Sequence, residues 1–449
     1  MEKLFGTDGI RGRADEYPMT QEIASRVGYA IASMFSDVKG NSKILIGKDT
    51  RASGAKFEKA IITGVCKLNS KAYLSGIIPT PGISYIVSSK GFDAGIVISA
   101  SHNPYYDNGL KIFDRNGRKL SEKKEAEIEK LILSNNIPEI QISEGNISYA
   151  NEYNNAVDDY SDFLKQCLAQ GISLKAQKMV IDCANGSTCM IAPKLFSDLG
   201  AEVEAMYITP DGKNINNHCG SEHPGSMRTK VKEKEADIGI AFDGDGDRLI
   251  VADETGDIIT GDQILAILAS FLKKQGKLNK NTVVSTIMSN MGLGAALRKM
   301  NIEHITTKVG DRYVAEKMLE TGSILGGEDS GHIILMNKQK TGDGLVTALK
   351  LLEIMKLEEK PLSELKKIMT IYPQALINVE AKSKPDLNDF SEVIDTINTV
   401  EKKLGKEGRV LVRYSGTQPI CRVMIEGPNS EETVKQCQKI ADIVKKNIG

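Results

Sequence analysis

The amino-acid sequence predicts an α/β fold of three related domains with mixed sheets, followed by a smaller α+β domain. Short β-rich runs alternate with amphipathic helical patterns along most of the chain, which is typical of βα units. The chain has 449 residues, enough for several domains, and 41% are hydrophobic, enough to form their cores. The expected domains are residues 1–150, 151–254, 255–370 and 371–449.

The first three domains repeat one pattern of strands and helices, and the last domain departs from it. In the first domain, strands are predicted at residues 43–47, 72–74 and 94–98, and helices at 22–35 and 57–68. The second and third domains have predicted strands at 179–182, 203–208, 238–242, 283–287, 302–306 and 324–325. In the C-terminal domain the predicted elements are strands at 375–379, 409–413 and 421–426 and a helix at 431–446.

Composition and charge disfavour a nucleic-acid-binding, membrane-spanning or secreted protein. The formal net charge is -1, so bulk electrostatics do not favour nucleic acid or an anionic membrane as a partner. No apolar run approaches the ~20 residues of a membrane span, and the N-terminus lacks the apolar core of a signal peptide. The seven cysteines include no C-x-x-C pair, which favours a reduced, cytoplasmic protein with free thiols.

A polar loop follows the apolar strand that ends at Ile98, and it carries Ser101, His102 and Lys111. Adjacent residues in an extended segment point to opposite faces, so Ser101 and His102 do not form a convincing hydrolase dyad. One interpretation is a serine that hydrogen-bonds a turn. The other is a nucleophile held at a sheet edge, where sites of α/β proteins usually lie, and the Asn-Pro and Asp-Asn-Gly turns nearby favour it.

A second polar loop contains Asp243, Asp245, Asp247 and Arg248. Its spacing also matches the start of a calcium EF-hand loop, but Arg248 stands where that loop needs glycine, and both flanks are strand-like. A solvated turn remains an alternative. Three close carboxylates repel one another unless a cation compensates, and Mg²⁺ is the preferred ion because it also takes phosphate oxygens. Together with the serine, this loop suggests metal-assisted phosphoryl transfer.

Three further segments carry groups that suit phosphate or sugar binding. The proposed phosphate loop offers Arg413, Ser415, Gly416, Thr417 and Arg422; a hairpin with surface arginines is the alternative. A glycine-bounded loop offers Glu328, Ser330 and His332, which suit sugar hydroxyls, although a polar turn would look the same. The glycine-rich residues 6–12 are a weak signal alone, and Cys219 lacks the second ligand pair of a zinc site.

Taken together, these five loops closely resemble the α-D-phosphohexomutase family in order and spacing, from Phe5 to about Glu426. Within that family, the chain is most similar to the bacterial branch that acts on glucosamine phosphates. The segments that carry this likeness are Phe5-Gly-Thr-Asp-Gly-Ile-Arg-Gly12, Pro79-Thr-Pro-Gly82, Met288-Ser-Asn290 and Val309-Gly-Asp-Arg-Tyr313. The chain departs from the usual pattern at Glu222, Asp329 and Gln418.

The resemblance implies four domains around a central cleft, with one loop from each domain. Ser101 would carry a phosphoryl group and, with the three aspartates, hold one Mg²⁺ per subunit. The other implied catalytic residues are Lys111, Arg11, His102 and Arg248. The implied substrate-binding residues are Glu328, Ser330, His332, Arg413, Ser415, Gly416, Thr417 and Arg422.

The implied reaction interconverts glucosamine 6-phosphate and glucosamine 1-phosphate through a 1,6-bisphosphate that turns around in the cleft, and it feeds UDP-N-acetylglucosamine synthesis. The alternatives are a phosphomannomutase/phosphoglucomutase, a Mg²⁺-dependent phosphosugar phosphatase, and a non-catalytic calcium or sugar-phosphate binding protein. The expected partner is a small phosphosugar, with no nucleic acid or membrane, in the cytoplasm. A homodimer stays open because no residue pattern fixes the oligomeric state.

Overall fold

The structure is a computed structural model, and it describes residues 3–6, 8–36, 41–142, 150–414 and 420–449. The chain divides into two compact units. The first comprises Met1–Ser289 and Met300–Ile368, and the second comprises Asn290–Lys299 and Met369–Gly449. The described helices include none with the length and apolarity of a membrane span.

The first sheet has seven strands in the order β1-β2-β6-β5-β3-β4-β7. Its elements are β1 Phe5–Gly6, β2 Gly9–Arg13, α1 Gln21–Phe35, β3 Lys43–Lys48, α2 Gly54–Cys66, β4 Lys71–Ile77, α3 Thr80–Lys90, β5 Ala94–Ile98, β6 Asp107–Asp114, α4 Glu122–Ile132 and β7 Asn151–Glu152. Strand β5 is parallel to β3 and antiparallel to β6. All five residues of β5 are buried, as expected for an apolar strand covered on both faces.

The second sheet has five strands in the order β12-β11-β10-β8-β9. Its elements are α5 Ala156–Cys167, β8 Lys178–Asp182, α6 Ala192–Asp198, β9 Glu202–Met206, α7 Gly225–Lys234, β10 Ile238–Phe242, β11 Leu249–Asp253 and β12 Ile258–Ile259. Strands β8, β9 and β10 are parallel, whereas β10 and β11 form an antiparallel pair. The aspartate-rich loop therefore connects two buried strands and not two helices, which excludes an EF-hand.

The third sheet has four strands in the order β14-β13-β15-β16. Its elements and the helices around them are α8 Gly261–Lys274, β13 Thr282–Thr286, α9 Met291–Lys299, β14 Glu303–Thr307, α10 Asp311–Thr321, β15 Leu325–Gly327, β16 Ile333–Leu335, α11 Gly344–Glu358 and α12 Leu362–Leu365. Helix α8 begins with a capping box in which the Thr260 and Gln263 side chains each accept a backbone N–H at the helix start.

The second unit contains a three-stranded antiparallel sheet in the order β17-β19-β18. Its elements are β17 Gln374–Glu380, α13 Ser391–Leu404, β18 Arg409–Tyr414, β19 Ile420–Glu426 and α14 Ser430–Ile448. Buried aliphatic residues of the sheet and both helices form its core, including Val393, Val423, Ile425 and Val444. Helix α9 also belongs to this unit, because Asn290 bonds both backbone polar groups of Tyr372.

The predicted fold class is confirmed: three mixed α/β sheets precede a small α+β domain. The three sheets share one local arrangement of strands, which the sequence indicated only as a repeated alternation of strands and helices. A strand parallel to its neighbour runs into a polar loop and returns as an antiparallel strand, in β5 to β6, β10 to β11 and β15 to β16. Each of these three loops is one that the sequence marked as functional.

Candidate active site

Ser101 lies in the loop that follows β5, and it is 1% exposed. Its backbone is in the left-handed region, with φ of 53°, which is uncommon for a residue other than glycine. Its Oγ donates to Asp243 Oδ2 at 2.5 Å, and His102 Nδ1 lies 3.3 Å from the same oxygen. The hydroxyl therefore points at the aspartate-rich loop of the second sheet.

Asp243, Asp245 and Asp247 form a buried triad in which one carboxylate oxygen of each residue lies within 4.8 Å of the other two. Burial, and then the charges of Asp247 and Asp245, raise the pKa of Asp243 well above its ordinary value. Gly244 permits a close approach between the two loops, because a Cβ there would lie 2.7 Å from the Ser101 carbonyl oxygen.

Lys111 on β6 is the cation in closest contact with the triad. Its Nζ lies 2.7 Å from Asp245 Oδ2 and 2.8 Å from Asp247 Oδ2. Although burial alone would lower it, these carboxylates and Asp8 hold the pKa of Lys111 well above its ordinary value. The ammonium group therefore stays charged and offsets part of the negative charge of the triad.

The two predicted arginines of the first unit border the same cluster. The Arg248 backbone N–H donates to Asp243 Oδ1 at 3.1 Å, and its Nε lies 4.0 Å from Asp247 Oδ1. Arg11 forms an ion pair with Asp8. Burial opposes charge on both guanidinium groups, but the surrounding carboxylates raise the pKa of each. Both arginines are thus available to compensate an anion beside Ser101.

The two histidines of the site differ in environment. Burial, followed by the charges of Arg248 and Arg11, lowers the pKa of His102 to about 3, so its imidazole is neutral at physiological pH. His332 is buried, and its Nε2 accepts a hydrogen bond from the Gly342 N–H at 3.0 Å. This places the proton of neutral His332 on Nδ1, which faces Asp247 Oδ1 at 3.7 Å.

Four polar residues outside the predicted catalytic and substrate-binding sets belong to the same cluster. Thr80 Oγ1 donates to Asp245 Oδ2 at 2.5 Å, which accounts for the Pro-Thr-Pro-Gly segment at the start of α3. Lys119 bridges Asp8 and Asp311. Despite its burial, the pKa of Asp8 is held well below its ordinary value by Lys111, Lys119 and Arg11. Their only sequence signal was the family-like segments around residues 8, 80 and 311.

The loop between β15 and β16 places Glu328 beside Gly310, whose N–H donates to Glu328 Oε1 at 3.1 Å. Burial and then Asp311 raise the pKa of Glu328. Asp329, a departure from the family pattern, accepts the Asp262 N–H through its side chain at 3.1 Å and the Gly261 N–H through its carbonyl at 3.0 Å. Asp329 therefore caps backbone N–H groups at the start of α8. Ser330, in the same loop, is half-buried.

In the second unit, Arg413 and Arg422 lie directly opposite each other on β18 and β19. Like charges across an antiparallel pair repel, and burial together with Arg422 lowers the pKa of Arg413. Arg422 Nε is buried without a hydrogen-bond partner among the described residues. Such a pair suits an anion. Ser415, Gly416 and Thr417 lie outside the described residues.

The aspartate triad also fits a metal ion. Asp245 Oδ1 is buried and has no hydrogen-bond partner in the described part of the chain. A set of carboxylate oxygens suits a hard divalent cation. No other group of three potential ligands was found among the described residues, and the zinc alternative at Cys219 gains no support, because burial first and then Asp182 raise the pKa of that thiol to about 12.

Comparison with known proteins identifies the family. Four models of phosphoglucomutase/phosphomannomutase domains match the chain: α/β/α domain I at residues 2–138, α/β/α domain II at 158–256, α/β/α domain III at 260–372 and the C-terminal domain at 376–443. The chain therefore belongs to the phosphoglucomutase/phosphomannomutase family, as its loops predicted.

Particular relatives refine this result. The phosphoglucosamine mutase of Syntrophus aciditrophicus is 53% identical over 449 residues and that of Syntrophobacter fumaroxidans is 49% identical, and each match covers 100% of both chains. Among solved structures, a phosphoglucomutase/phosphomannomutase family protein of Burkholderia thailandensis has a TM-score of 0.80 at 24% identity, covering 99% of this chain and 98% of that one. The Aspergillus fumigatus N-acetylphosphoglucosamine mutase in complex with GlcNAc-6P and magnesium has a TM-score of 0.69 at 18% identity, covering 99% and 95%. At these identities, the two structures support the fold alone.

Proposed function

We propose that this chain is a phosphoglucosamine mutase that interconverts glucosamine 6-phosphate and glucosamine 1-phosphate through a phosphoserine at Ser101. The observation that carries the proposal is the hydrogen bond of 2.5 Å from the buried Ser101 hydroxyl to the carboxylate triad. Full-length identity of 53% to a phosphoglucosamine mutase gives the substrate class. A 1,6-bisphosphate is the intermediate that such a serine carrier requires.

In this proposal the triad and the Ser101 phosphoryl group hold Mg²⁺, which suits oxygen ligands and phosphate. When bound, the ion supplies charge stabilisation to the transferring phosphoryl group. Arg248 and Arg11 offset charge beside the serine, and neutral His102 contacts its oxygen. Lys111 acts in its charged form: its ammonium group donates a proton to the released sugar oxygen while it recovers one from the attacking hydroxyl. The triad's preference for magnesium over other hard cations is part of the proposal.

Substrate holding is assigned to the other loops. Glu328, Ser330 and His332 bind sugar groups that both orientations of the substrate present. Arg413, Ser415, Gly416, Thr417 and Arg422 bind the phosphate that does not react. Electrostatic preorganisation of this kind works because the groups need little rearrangement when charge develops.

Preference for an amino sugar rests on a negative charge near the sugar loop. Asp311 is 7% exposed, and its carboxylate lies 3.5 Å from His332 Nε2. Lys119 offsets part of this charge, and the negative charge that remains favours a sugar with a 2-ammonium group. Asn290 contributes little to this preference, because its side chain is engaged with the backbone of Tyr372 in the second unit.

The decisive experiment compares kcat/KM for glucosamine, glucose and mannose 6-phosphates on one Mg²⁺-loaded preparation, with free phosphate measured in parallel. The expected result is isomer formation, fastest with glucosamine 6-phosphate and without equivalent phosphate release. Equal or faster turnover of glucose or mannose phosphate would indicate the phosphomannomutase/phosphoglucomutase alternative. Phosphate release without an isomer would indicate a phosphatase. A cytoplasmic location and a homodimer stay predictions.

A further inference from the structure

The peptide groups on both sides of Ser101 are held by side chains outside the carboxylate triad. The Ser101 N–H donates to Ser99 Oγ at 2.9 Å. The Ser101 carbonyl accepts two hydrogen bonds, from Arg51 Nη2 and from Asn216 Nδ2, each at 2.9 Å. These three contacts fix the left-handed backbone that aims the hydroxyl at Asp243.

The Arg51 guanidinium group hydrogen-bonds several carbonyl oxygens of the loop that contains Ser101. This side chain is fully buried, and its Nε pairs with Asp49 Oδ2 at 2.8 Å. The same Asp49 oxygen accepts the Ser99 hydroxyl at 2.6 Å, so the anchor of the Ser101 N–H is tied to the arginine as well. The Nη1 and Nη2 groups of Arg51 donate to the carbonyl oxygens of Ser101, Asn103, Pro104 and Asp107. A flexible ammonium group cannot reproduce this planar, multidentate arrangement.

Asn216, which follows β9 of the second sheet, hydrogen-bonds the backbone of the same serine loop. Its Nδ2 donates to the Ser101 and Asn103 carbonyls at 2.9 Å and 3.0 Å. A Cβ at Gly244 of the metal-binding loop would lie 2.9 Å from that same nitrogen. The serine loop and the aspartate loop are therefore packed against one shared amide.

We propose that Arg51 and Asn216 are positioning residues for the nucleophile, an inference that rests on the proposed mutase function. Their hydrogen bonds go to the loop backbone and to Asp49, so they act through the placement of Ser101. In the transfer to the enzyme, a bond forms between phosphorus and Ser101 Oγ as the phosphorus–oxygen bond of the sugar bisphosphate breaks, and the serine proton passes to the released sugar oxygen. In the transfer to the sugar, the phosphorus–Oγ bond breaks as the sugar hydroxyl bonds phosphorus, and the hydroxyl proton returns to the serine. A misplacement of about 1 Å at such a step costs about 10²-fold in rate.

The test measures phosphorylation of Ser101 by glucose 1,6-bisphosphate in single-turnover experiments followed by intact mass, together with steady-state kinetics. Arg51→Lys should lower both the single-turnover rate and kcat by about 10²-fold, whereas KM for glucosamine 6-phosphate should stay within about twofold. Asn216→Ala should show the same pattern with a smaller loss, and it provides the test should Arg51→Lys fail to fold.

The matched control is Arg26→Lys, because Arg26 also holds backbone carbonyls, those of Ile132 at the end of α4 and of Ser134 just beyond it. Its melting temperature should fall while phosphoryl uptake remains at the wild-type rate. Wild-type phosphorylation rates in folded Arg51→Lys and Asn216→Ala, or losses no larger than the control's, would overturn the proposal. Absence of mutase turnover in the wild-type protein would instead overturn the proposed function.

Discussion

Replacing Asp245 with asparagine removes one negative charge from the triad while preserving the shape of the side chain. Asp245 Oδ2 accepts hydrogen bonds from Thr80 Oγ1 at 2.5 Å and Lys111 Nζ at 2.7 Å, and the asparagine oxygen can retain both. Both bonds lose a charged acceptor, a loss of about 1 kcal/mol each, and relief of carboxylate repulsion offsets part of it. The free energy of unfolding should therefore fall by less than about 2 kcal/mol.

The effect on metal binding should be far larger than the effect on stability. The asparagine NH₂ group would replace Asp245 Oδ1, the buried oxygen without a hydrogen-bond partner among the described residues, and it cannot ligate a cation. Removal of a residue that merely orients a metal ligand typically costs 10–100-fold in affinity. Loss of a direct anionic ligand should weaken Mg²⁺ by at least about 10²-fold and lower turnover accordingly.

The measurement is calorimetric titration of Mg²⁺ into metal-stripped protein, with urea unfolding and turnover on the same samples. Asp253→Asn is the matched control, because buried Asp253 also accepts from a lysine, Lys366 Nζ at 2.5 Å, and from Thr255 Oγ1 at 2.7 Å. It should lose at least as much stability, because both of its carboxylate oxygens accept hydrogen bonds, and it should keep wild-type Mg²⁺ affinity. Unchanged Mg²⁺ affinity in Asp245→Asn, or wild-type turnover after complete chelation, would refute the reasoning.

Three other outcomes are expected. Ser101→Ala should abolish turnover and the added mass of one phosphoryl group, whereas Ser84→Ala, which loses a buried hydroxyl bond of 2.6 Å elsewhere, should cost only about 1 kcal/mol of stability; near-normal turnover in Ser101→Ala would contradict the mechanism. Arg413→Ala should lower kcat/KM for hexose phosphates by about 10–100-fold, the equivalent of a charge-assisted phosphate contact, whereas Arg409→Ala on the same strand should not; equal kinetics in both variants would contradict a phosphate contact. Burial raises the pKa of Asp343 from 3.8 to about 6, so the folded state keeps a proton that the unfolded state loses, and stability should fall by up to about 3 kcal/mol as pH rises through this interval. Asp343→Asn should reduce that fall in urea unfolding at pH 4 and pH 7, and an identical pH dependence in both proteins would contradict it.

Two of the strands that carry the site loops could be predicted closely because each is a continuous apolar run ending in polar residues. Strands β5 and β10 have the predicted bounds, Ala94–Ile98 and Ile238–Phe242. The convergence of Ser101 on Asp243 also follows from chemistry, since a nucleophile and a metal-binding loop are useful only together. Their roles in catalysis stay proposals.

The supporting contacts could not be predicted, because they join residues that are distant in sequence and have no periodicity. Thr80 meets Asp245 across 165 positions, and Lys119 meets Asp311 across 192. Arg51 resembles any surface arginine until its carbonyl partners are known. A local sequence pattern predicts which face of a helix or strand is buried. It does not predict which polar group, distant in sequence, will hydrogen-bond a buried side chain.

Helix α9 belongs to the second unit although most of that unit follows residue 369, and this has a consequence for the order of folding. Asn290 bonds Tyr372, 82 residues later, and the Met291 N–H bonds Glu426, 135 residues later. At synthesis rates of 5–20 residues per second, the helix waits on the order of 10 s for its last partner. During this wait the Asn290 side chain and the Met291 N–H are without the partners that the finished protein gives them. A nascent chain that stalls before residue 369 would therefore carry α9 with its start unanchored, and late translation is the interval in which this helix gains its place in the second unit.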